Sequence, residues 1–419
     1  MPARRPHHHQ AGGAGRAALV AVALAAVLAW WLAAPSAAPV PPRAMAAGDA
    51  APLLQTTAGE VAALPAASTA TAAALPAAAG LSPAQRQEQI ALWRERLERA
   101  KTALANYQQA ARYPDSSRPI EEHPDQVRPF EPIAEDRALR MPGGSVTPGV
   151  RLRTTQDRIF LAGLETARIT VALVDADGRP QPLRVTRAML HEVTEPGRTA
   201  RTNEVAIDVN DRGSSGDLQA GDGVHSAVLQ PGAQGFTDFA GTVRLTLHLD
   251  HAGQPGFLFF DLVYSPELAA TWVPGVRDMA EGGDLRFVLQ ADVRLPGRYV
   301  VSGRIDDAAG QPVALALFNA ELGGGRQAIV LPVAGRLLHD RQPAFPLRLR
   351  DVEAFLLKPD TFPDRVMLPR LAGVLHSSAV YTLDRFANAE PGGDQRARYL
   401  AELGKDVREA EQQLQQLGP

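Results

Sequence analysis

The stretch GTVRLTLHLD, residues 241–250, alternates apolar and polar side chains at almost every position. Its leucines and valine fall on one side of an extended chain, and Arg244, Thr246 and His248 fall on the other. Side chains point to opposite faces of a strand in turn, so this period of two is typical of a strand with one buried face. The stretch therefore predicts an antiparallel sheet covering a core.

The same period recurs on both sides of this stretch. Runs rich in Val, Leu and Ile alternate with turn residues, and the turns are Asp177-Gly178, Pro196-Gly197, Asp222-Gly223, Pro296-Gly297 and Gly310-Gln311-Pro312. Short alternating strands with frequent Gly and Pro turns are typical of sandwiches. About ten or eleven such strands are too many for one seven-stranded sandwich. We therefore predict a mainly β chain with two Ig-like antiparallel sandwiches, residues 149–265 and 266–386.

The N-terminus predicts the compartment. Residues 17–34 read AALVAVALAAVLAWWLAA without a charge, which is long enough for a transmembrane helix. Arg4, Arg5 and Arg16 precede this run, and the first acidic residue is Asp49. The positive-inside rule then places residues 1–16 in the cytoplasm as a basic tail. We expect a single-pass signal anchor in the inner membrane, with the bulk of the chain in the periplasm or outside the cell.

A cleaved signal peptide is the competing interpretation of the same run. Ser36-Ala37-Ala38 or Ala44-Met45-Ala46 fits a small-residue cleavage site. The apolar run is longer than the usual 7–15 residues of a signal peptide and ends in Trp30 and Trp31. Both interpretations export everything that follows.

Two amphipathic helices are expected at the ends of the exported region. After an Ala/Pro-rich disordered linker at 35–81, Ser82-Pro83 is a helix start, and the helix is predicted over 82–113. The apolar residues of this helix are spaced alternately three and four apart: Ile90, Trp93, Leu97, Ala100, Leu104, Tyr107 and Ala111. A second helix, predicted over 394–417, has the same spacing: Leu400, Leu403, Val407, Ala410, Leu414 and Leu417. Heptad seams of this kind pack on a neighbouring domain, on each other, or on another copy as a coiled coil. Contact between the two helices is our prediction, with a homo-oligomer through these helices as one form of it.

Between the first helix and the sandwiches, residues 114–148 hold seven prolines. Proline removes a backbone donor and disfavours central strands. We expect an extended connector that lies along a surface.

Composition excludes several classes of function. The chain has 43 basic and 46 acidic residues, a net charge of −3 and no cysteine. Nucleic-acid binding needs clustered Lys and Arg, so we expect no nucleic-acid partner. Without cysteine there is no disulfide, no Cys-ligated zinc and no thiol nucleophile.

One segment offers ligands for a metal ion. The segment DVNDRGSSGDLQAGD, residues 208–222, carries hard oxygen donors of the kind that calcium takes, namely Asp208, Asn210, Asp211, Asp217 and Asp222. It is not an EF-hand, because Arg212 stands at the fifth position and no Glu stands at the twelfth. The same residues suit tight turns through side-chain to backbone hydrogen bonds. Calcium and a purely structural turn both stay open, and we expect no other cofactor.

No arrangement of residues predicts catalysis. Neither Ser214-Ser215 nor Ser377-Ser378 lies in a G-x-S-x-G frame. We expect the chain not to be an enzyme.

Two segments resemble a known family. DVNDRGSSGDLQAGDGVHSA, residues 208–227, resembles the hairpin of bacterial extracellular Ig-like modules, with His225 where an aromatic residue is usual. Residues 299–357, including YVVSGRI and LRDV, are similar to the companion module of choice-of-anchor X-type envelope proteins. The resemblance covers roughly residues 150–385 and implies a surface or periplasmic accessory region without a reaction of its own.

These observations together predict a membrane-anchored envelope protein with a non-catalytic scaffold or partner-binding role. An envelope protein is the expected partner. A carbohydrate- or peptidoglycan-binding module is the alternative, although only Trp93 and Trp272 lie beyond the membrane run to form an aromatic platform. The accessory region of a hydrolase is a second alternative.

Overall fold

The computed structural model describes residues 82–194 and 204–418. They form a mainly β structure of several antiparallel sheets, which confirms the class predicted from the alternating runs. The basic tail at 1–16, the transmembrane run at 17–34 and the linker at 35–81 lie outside the described residues. Within the described part of the chain, no helix is long and apolar enough to cross a membrane. The chain divides into two compact units, a helical one (82–113 with 390–418) and a β one (114–389).

The helical unit consists of α1 (Pro83–Ala110) and α3 (Asp394–Leu417). Ser82 starts α1 as predicted: its Oγ accepts the Gln85 amide at 3.3 Å, and the Gln85 side chain accepts the Ser82 amide at 3.0 Å. This reciprocal capping box satisfies two amides that the first helical turn leaves without partners.

The predicted contact between the two helices is confirmed within one chain. Ile90, Trp93, Ala410 and Leu417 form a buried cluster, with Leu97 and Leu414 packed against it. Tyr107 near the end of α1 lies 5.6 Å from Tyr399 near the start of α3, ring centre to ring centre, so the helices run antiparallel. Lys101 and Glu411 form an ion pair at 3.5 Å beside the seam.

The β unit holds all nineteen strands of the described residues. The first eleven are β1 (Ser117–Pro119), β2 (Ile133–Arg140), β3 (Val146–Gln156), β4 (Phe160–Ala162), β5 (Ala167–Asp175), β6 (Pro180–Gln181), β7 (Arg184–Glu192), β8 (Val205–Ala206), β9 (His225–Leu229), β10 (Gly241–His251) and β11 (Gln254–Ser265). The others are β12 (Ala270–Glu281), β13 (Asp284–Val293), β14 (Gly297–Asp306), β15 (Pro312–Leu322), β16 (Gly325–Val333), β17 (Arg348–Leu357), β18 (Arg365–Met367) and β19 (Leu371–Ser377), with helix α2 (Gly335–Arg341) after β16. This is more than the ten or eleven strands expected, partly because five of the nineteen have only two or three residues and leave no periodic signal.

Strands β2 to β11 form one sheet of ten strands. The order is β6-β5-β3-β2-β11-β10-β7-β8, with β9 beside β5 and β4 parallel to β11. The four residues of β10 that were predicted to point inward, Val243, Leu245, Leu247 and Leu249, are at most 1 % exposed. They share one core with Ile169, Val171 and Leu190. The sheet therefore curls until β5 and β10 enclose the same apolar interior.

The remaining strands form two sheets. A six-stranded sheet has the order β1-β15-β14-β17-β18 with β19 also on β17, and a three-stranded sheet has the order β12-β13-β16. The two face each other closely, since a Cβ added to Gly303 in β14 would lie 2.9 Å from Leu331 in β16. Glycine at this point lets the sheets approach.

The segment 114–148 is more structured than the extended connector we expected. It contains β1, two 3-10 turns, β2 and the start of β3. Strand β1 pairs with β15, and Ser117 is fully buried, with its Oγ accepting the Ala334 amide at 2.9 Å. Proline is tolerated here because β1 is an edge strand. The six-stranded sheet thus begins before the ten-stranded sheet and is completed after it.

The outer face of the six-stranded sheet is covered by the 3-10 turns of that segment. Ile120 and Val127 pack on Leu315 and Leu317 as a separate small apolar cluster. Beside it lies an ion pair between Arg304 (7 % exposed) and Asp306 (1 % exposed), at 2.7 Å. The segment therefore supplies part of the fold and is not a passive link.

Candidate functional site

The turn between β8 and β9 contains the predicted calcium ligands. The structure brings the carboxylates of Asp211, Asp217 and Asp222 together, with one oxygen of each within 4.8 Å of the others. Asp208 is not part of this group. Three of the five predicted residues thus form one acidic cluster.

Asp208 and Asn210 serve the turn in another way. Asp208 forms an ion pair with Arg212 at 2.8 Å and accepts Asn210 Nδ2 at 3.1 Å. Asn210 Oδ1 accepts the Arg212 amide at 3.0 Å, while the Asn210 backbone pairs with Ser226. These contacts tie the start of the turn to β9.

The gathered carboxylates accept hydrogen bonds from the loop that surrounds them. Asp211 accepts three backbone amides, those of Gly221 (2.7 Å), Asp222 (3.2 Å) and Gly223 (3.0 Å). Asp217 accepts the Gly213 amide at 2.6 Å and the Ser226 hydroxyl at 3.3 Å. The backbone amides of the loop are therefore paired with carboxylates of the same loop and do not need water as an acceptor. Side-chain to backbone hydrogen bonds of this kind stabilise a turn without a metal ion.

The turn also needs a left-handed backbone at several points. Gly216 has a φ of +96°, and a Cβ added there would lie 2.5 Å from Val228 Cγ2. Glycine is therefore required both by conformation and by space. Ser215 beside it adopts a φ of +53° without this freedom.

We expect Asp211→Ala to lower the free energy of unfolding of the β unit by about 2–3 kcal/mol, because three amides lose a charged acceptor. The measurement is urea unfolding without calcium, with Asp177→Ala, an exposed turn position, as the control. A loss no larger than that of the control would contradict the structural role.

Calcium at this turn stays a prediction. The three carboxylates supply only part of the six to eight oxygens that calcium takes. A bound ion would raise the melting temperature at millimolar calcium through preferential binding to the folded chain. Asp222→Ala would then abolish this rise in melting temperature. If calcium does not raise the melting temperature of the parent protein, the turn has a purely structural role.

His225 borders a groove of about 310 Å³ beside this turn, together with Pro182, Arg184, Asp211 and Asp250. Its ring Nδ1 is buried and has no hydrogen-bond partner among the described residues. This is the position where the sequence pattern led us to expect an aromatic residue. A buried polar atom without a partner costs stability.

We therefore expect His225→Phe to stabilise the β unit by about 1 kcal/mol, since it removes the unpaired nitrogen and the adjacent groove has room for the larger phenyl ring. Differential scanning calorimetry measures the change, and His248→Phe on an exposed strand position is the control. A lower melting temperature for His225→Phe would show that the nitrogen has a partner in solution.

A second polar cluster was missed by sequence reasoning. Asp278 on β12 accepts His376 Nε2 at 2.6 Å, the Tyr381 hydroxyl at 2.8 Å and the Ala379 amide at 3.0 Å. The His376 ring also packs edge-on against Phe287, with ring centres 6.1 Å apart. Asp278 lies about a hundred positions from its partners, so no local motif marks the cluster. It fastens β19 and the segment that follows it to β12.

Burial by itself raises the pKa of Asp278, but the hydrogen bonds from His376, Ala379 and Tyr381 outweigh it and hold the pKa below its ordinary value. Burial, with the hydrogen bond to Asp278, raises the pKa of Tyr381. A carboxylate whose pKa is depressed on folding adds stability above its unfolded pKa, and this stability is lost as the pH falls through the folded pKa.

We expect the stability of the β unit to fall below about pH 4 partly through Asp278. Asp278→Asn should be less stable at neutral pH and lose less on acidification than the parent chain. Urea midpoints measured between pH 2.5 and 7 test this. Parallel curves for the two proteins would assign the acid loss to other carboxylates.

Comparisons with known proteins place the chain in no family. No family model matches it, and no curated protein matches it. Among solved structures, a DUF4785 family protein from Legionella pneumophila matches with a TM-score of 0.36 and 12% identity, over 54% of this chain and 56% of that one. Trypsin-activated alpha-2-macroglobulin from Escherichia coli matches with a TM-score of 0.21 and 12% identity, over 56% of this chain and 16% of that one. The Escherichia coli adhesin FdeC matches with a TM-score of 0.18 and 15% identity, over 44% and 64%.

Proposed function

We propose that this chain is a non-catalytic interaction protein of the bacterial envelope, anchored in the inner membrane by residues 17–34. In this proposal residues 149–265 and 266–386 form two Ig-like β-sandwich modules displayed outside the cytoplasm, as in the choice-of-anchor X-type proteins that the sequence resembles. Within the segment 114–148, β1 adds a strand to the second module, and β2 with the start of β3 adds to the first.

One observation carries the proposal. Both clusters of polar side chains described above are engaged by the fold around them: Asp211 accepts three backbone amides, and Asp278 joins β12 to β19 and the segment that follows it. Ser378, one of the serines singled out in the sequence, is likewise used structurally, since its Oγ accepts the Leu347 amide at 3.0 Å. This supports a role in binding over a role in catalysis.

The carbohydrate-binding alternative gains no support from the two tryptophans. Trp93 is buried in the helical unit, and Trp272 donates its indole N–H to the Pro369 carbonyl at 2.7 Å. Sugar-binding sandwiches usually expose an aromatic ring as a stacking surface. Trp93 offers none, and Trp272 is half-buried with its indole N–H already engaged, so we favour a protein partner.

The helical unit supports a scaffold role within one chain. Helices α1 and α3 bury their seams against each other. Association of these helices with a second copy stays a prediction, which the mass of the purified full chain in detergent would test.

A reporter tests the compartment. We expect a reporter that works only outside the cytoplasm to be active when fused after Pro419, and a cytoplasm-only reporter to be silent there. Activity of the second would overturn the proposal. N-terminal sequencing of the mature protein separates an anchor from a cleaved signal peptide.

A further inference from the structure

The outer face of the ten-stranded sheet, defined as the side chains of β2, β7, β10 and β11 that point away from its core, has an unusual composition. The register places Arg140, Phe257, His248 and Arg187 in one row across these strands. Directly opposed residues of antiparallel strands share a face, so these side chains are neighbours. The row brings an aromatic ring between basic groups.

The next row along the strands is apolar. Phe259, Thr246 and Met189 lie side by side in it. Phe259 is 41 % exposed in the middle of a strand, and Val193 at the end of β7 is 39 % exposed. Phe, Met and Arg around an apolar centre are residue types that are enriched at the centre of protein interfaces.

The charges on this face do not cancel. Every acidic group near it has an arginine partner. Asp261 binds Arg244 at 2.7 Å, Glu204 binds Arg187 at 3.2 Å and Asp250 binds Arg184 at 3.5 Å. Asp136 on β2 lies between two arginines, Arg153 at 3.4 Å and Arg151 at 3.6 Å. Arg140 and His248 make no side-chain hydrogen bond or ion pair with any residue that the structure describes. The face thus retains positive charge around an apolar centre.

The arrangement of Arg244 decides which ligand fits. Its guanidinium lies over the Phe259 ring, 4.1 Å from the ring centre, and binds Asp261 through two nitrogens. A sugar that stacks on Phe259 would have to compete with this cation–π contact. A peptide carboxylate can instead bind Arg140 while the neighbouring apolar side chain covers Phe257 and the part of Phe259 that Arg244 leaves exposed.

We propose that the outer face is a docking surface for an acidic polypeptide segment that alternates carboxylates with apolar side chains. This inference rests on the proposed interaction function. Charge complementarity gives the segment its selectivity, and burial of Phe257 and Phe259 supplies most of its affinity.

The test uses the full chain in detergent micelles and three defined probes. Two are labelled eight-residue peptides that alternate Leu with Glu or Leu with Lys, followed by fluorescence anisotropy at low salt. The third is a tetramer of N-acetylglucosamine, followed by calorimetry. We expect the Glu–Leu peptide to bind and the other two probes not to bind.

Variants locate the binding. Arg140→Glu and Phe259→Ala should each lower the affinity for the Glu–Leu peptide about tenfold, which corresponds to about 1.4 kcal/mol of binding free energy. Two controls elsewhere on the surface, Arg179→Glu and Phe362→Ala, should leave it unchanged, and circular dichroism confirms that all variants fold. Equal binding of the Lys–Leu peptide, or binding that Arg140→Glu and Phe259→Ala leave intact, would overturn the proposal.

The same probes and variants distinguish the other ligands that the outer face could bind. Binding of the sugar tetramer that Phe259→Ala abolishes would assign the face to a glycan, and self-association that Arg140→Glu abolishes would assign it to a second copy. If the peptide fails while the reporter places the chain outside the cytoplasm, the docking face is wrong and the proposed function stands. If the reporter fails, the proposed function falls and the peptide result still applies to the face.

Discussion

Replacing Asp306 by alanine is expected to lower the free energy of unfolding of the β unit by about 3–5 kcal/mol. Asp306 is 1 % exposed and accepts Arg304 Nε and Nη2, both at 2.7 Å. Arg350 also reaches it, at 3.4 Å. Without the carboxylate, the charge of Arg304 stays buried without a counter-ion. The free-energy cost of such a buried charge exceeds the stabilisation that an exposed ion pair provides.

The second partner of Arg304 makes the effect wider. Arg304 Nη1 donates to the Val127 carbonyl, which belongs to the 3-10 turns over the six-stranded sheet. We therefore expect Asp306→Ala to loosen these turns as well, with faster hydrogen exchange near Ile120 and Val127.

Asp292→Ala is the matched control, because Asp292 forms an ion pair with Arg326 at 3.4 Å in which both side chains are more than half exposed. It should cost less than about 1 kcal/mol. The double replacement of Arg304 by Met and Asp306 by Leu should recover most of the loss, since it removes both charges. Chemical unfolding followed by tryptophan fluorescence measures all four proteins. A loss for Asp306→Ala close to that of Asp292→Ala would show that water reaches the pair.

Replacing Trp93 by alanine is expected to destabilise the helical unit by about 3–5 kcal/mol. Trp93 is 6 % exposed and belongs to the four buried residues of the cluster between α1 and α3. A pair of helices with so few buried side chains depends strongly on its largest one, because most helix stability in water comes from packing of the apolar face. The replacement should release α3 to proteases.

Leu92→Ala is the control, since Leu92 lies next in sequence and is 39 % exposed. It should leave α3 protected. Limited proteolysis with mass spectrometry follows cleavage within 394–417, and the sheets of the β unit should resist digestion in both variants. Protection of α3 in Trp93→Ala equal to that in Leu92→Ala would contradict the packing described here.

Local patterns predicted the elements that have a long and regular period. The heptad spacing of Ile90, Trp93 and Leu97 predicted both α1 and its buried stripe, and the alternation at 243–249 predicted the two faces of β10. The helix start at Ser82 was readable because Pro83 follows a serine, whereas the reciprocal hydrogen bond from Gln85 came from the structure. Each of these signals lies within a few turns or pleats of the chain, where sequence neighbours are also spatial neighbours.

The candidate sites also differ in whether their residues lie close together in the sequence. The Asp-rich turn was found because its residues lie within fifteen positions, although only the structure separates Asp208 from the group formed by Asp211, Asp217 and Asp222. The Asp278–His376 pair joins positions 98 residues apart, and the Arg140–Phe257 row depends on strand register. Neither could be found from spacing along the chain.

The sequence by itself determined that the chain is mainly β, that two amphipathic helices bracket the strands, and which sides of these elements face inward. Only the tertiary structure decided that β1, from the proline-rich segment, pairs with β15 about 200 residues later, and that Arg304 and Asp306 are buried under the same segment. The physical reason is that apolar periodicity is encoded locally, whereas strand pairing and the burial of a charge depend on which distant backbone closes over them. Those choices are made by the packing of the whole β unit, which no short stretch of the chain contains.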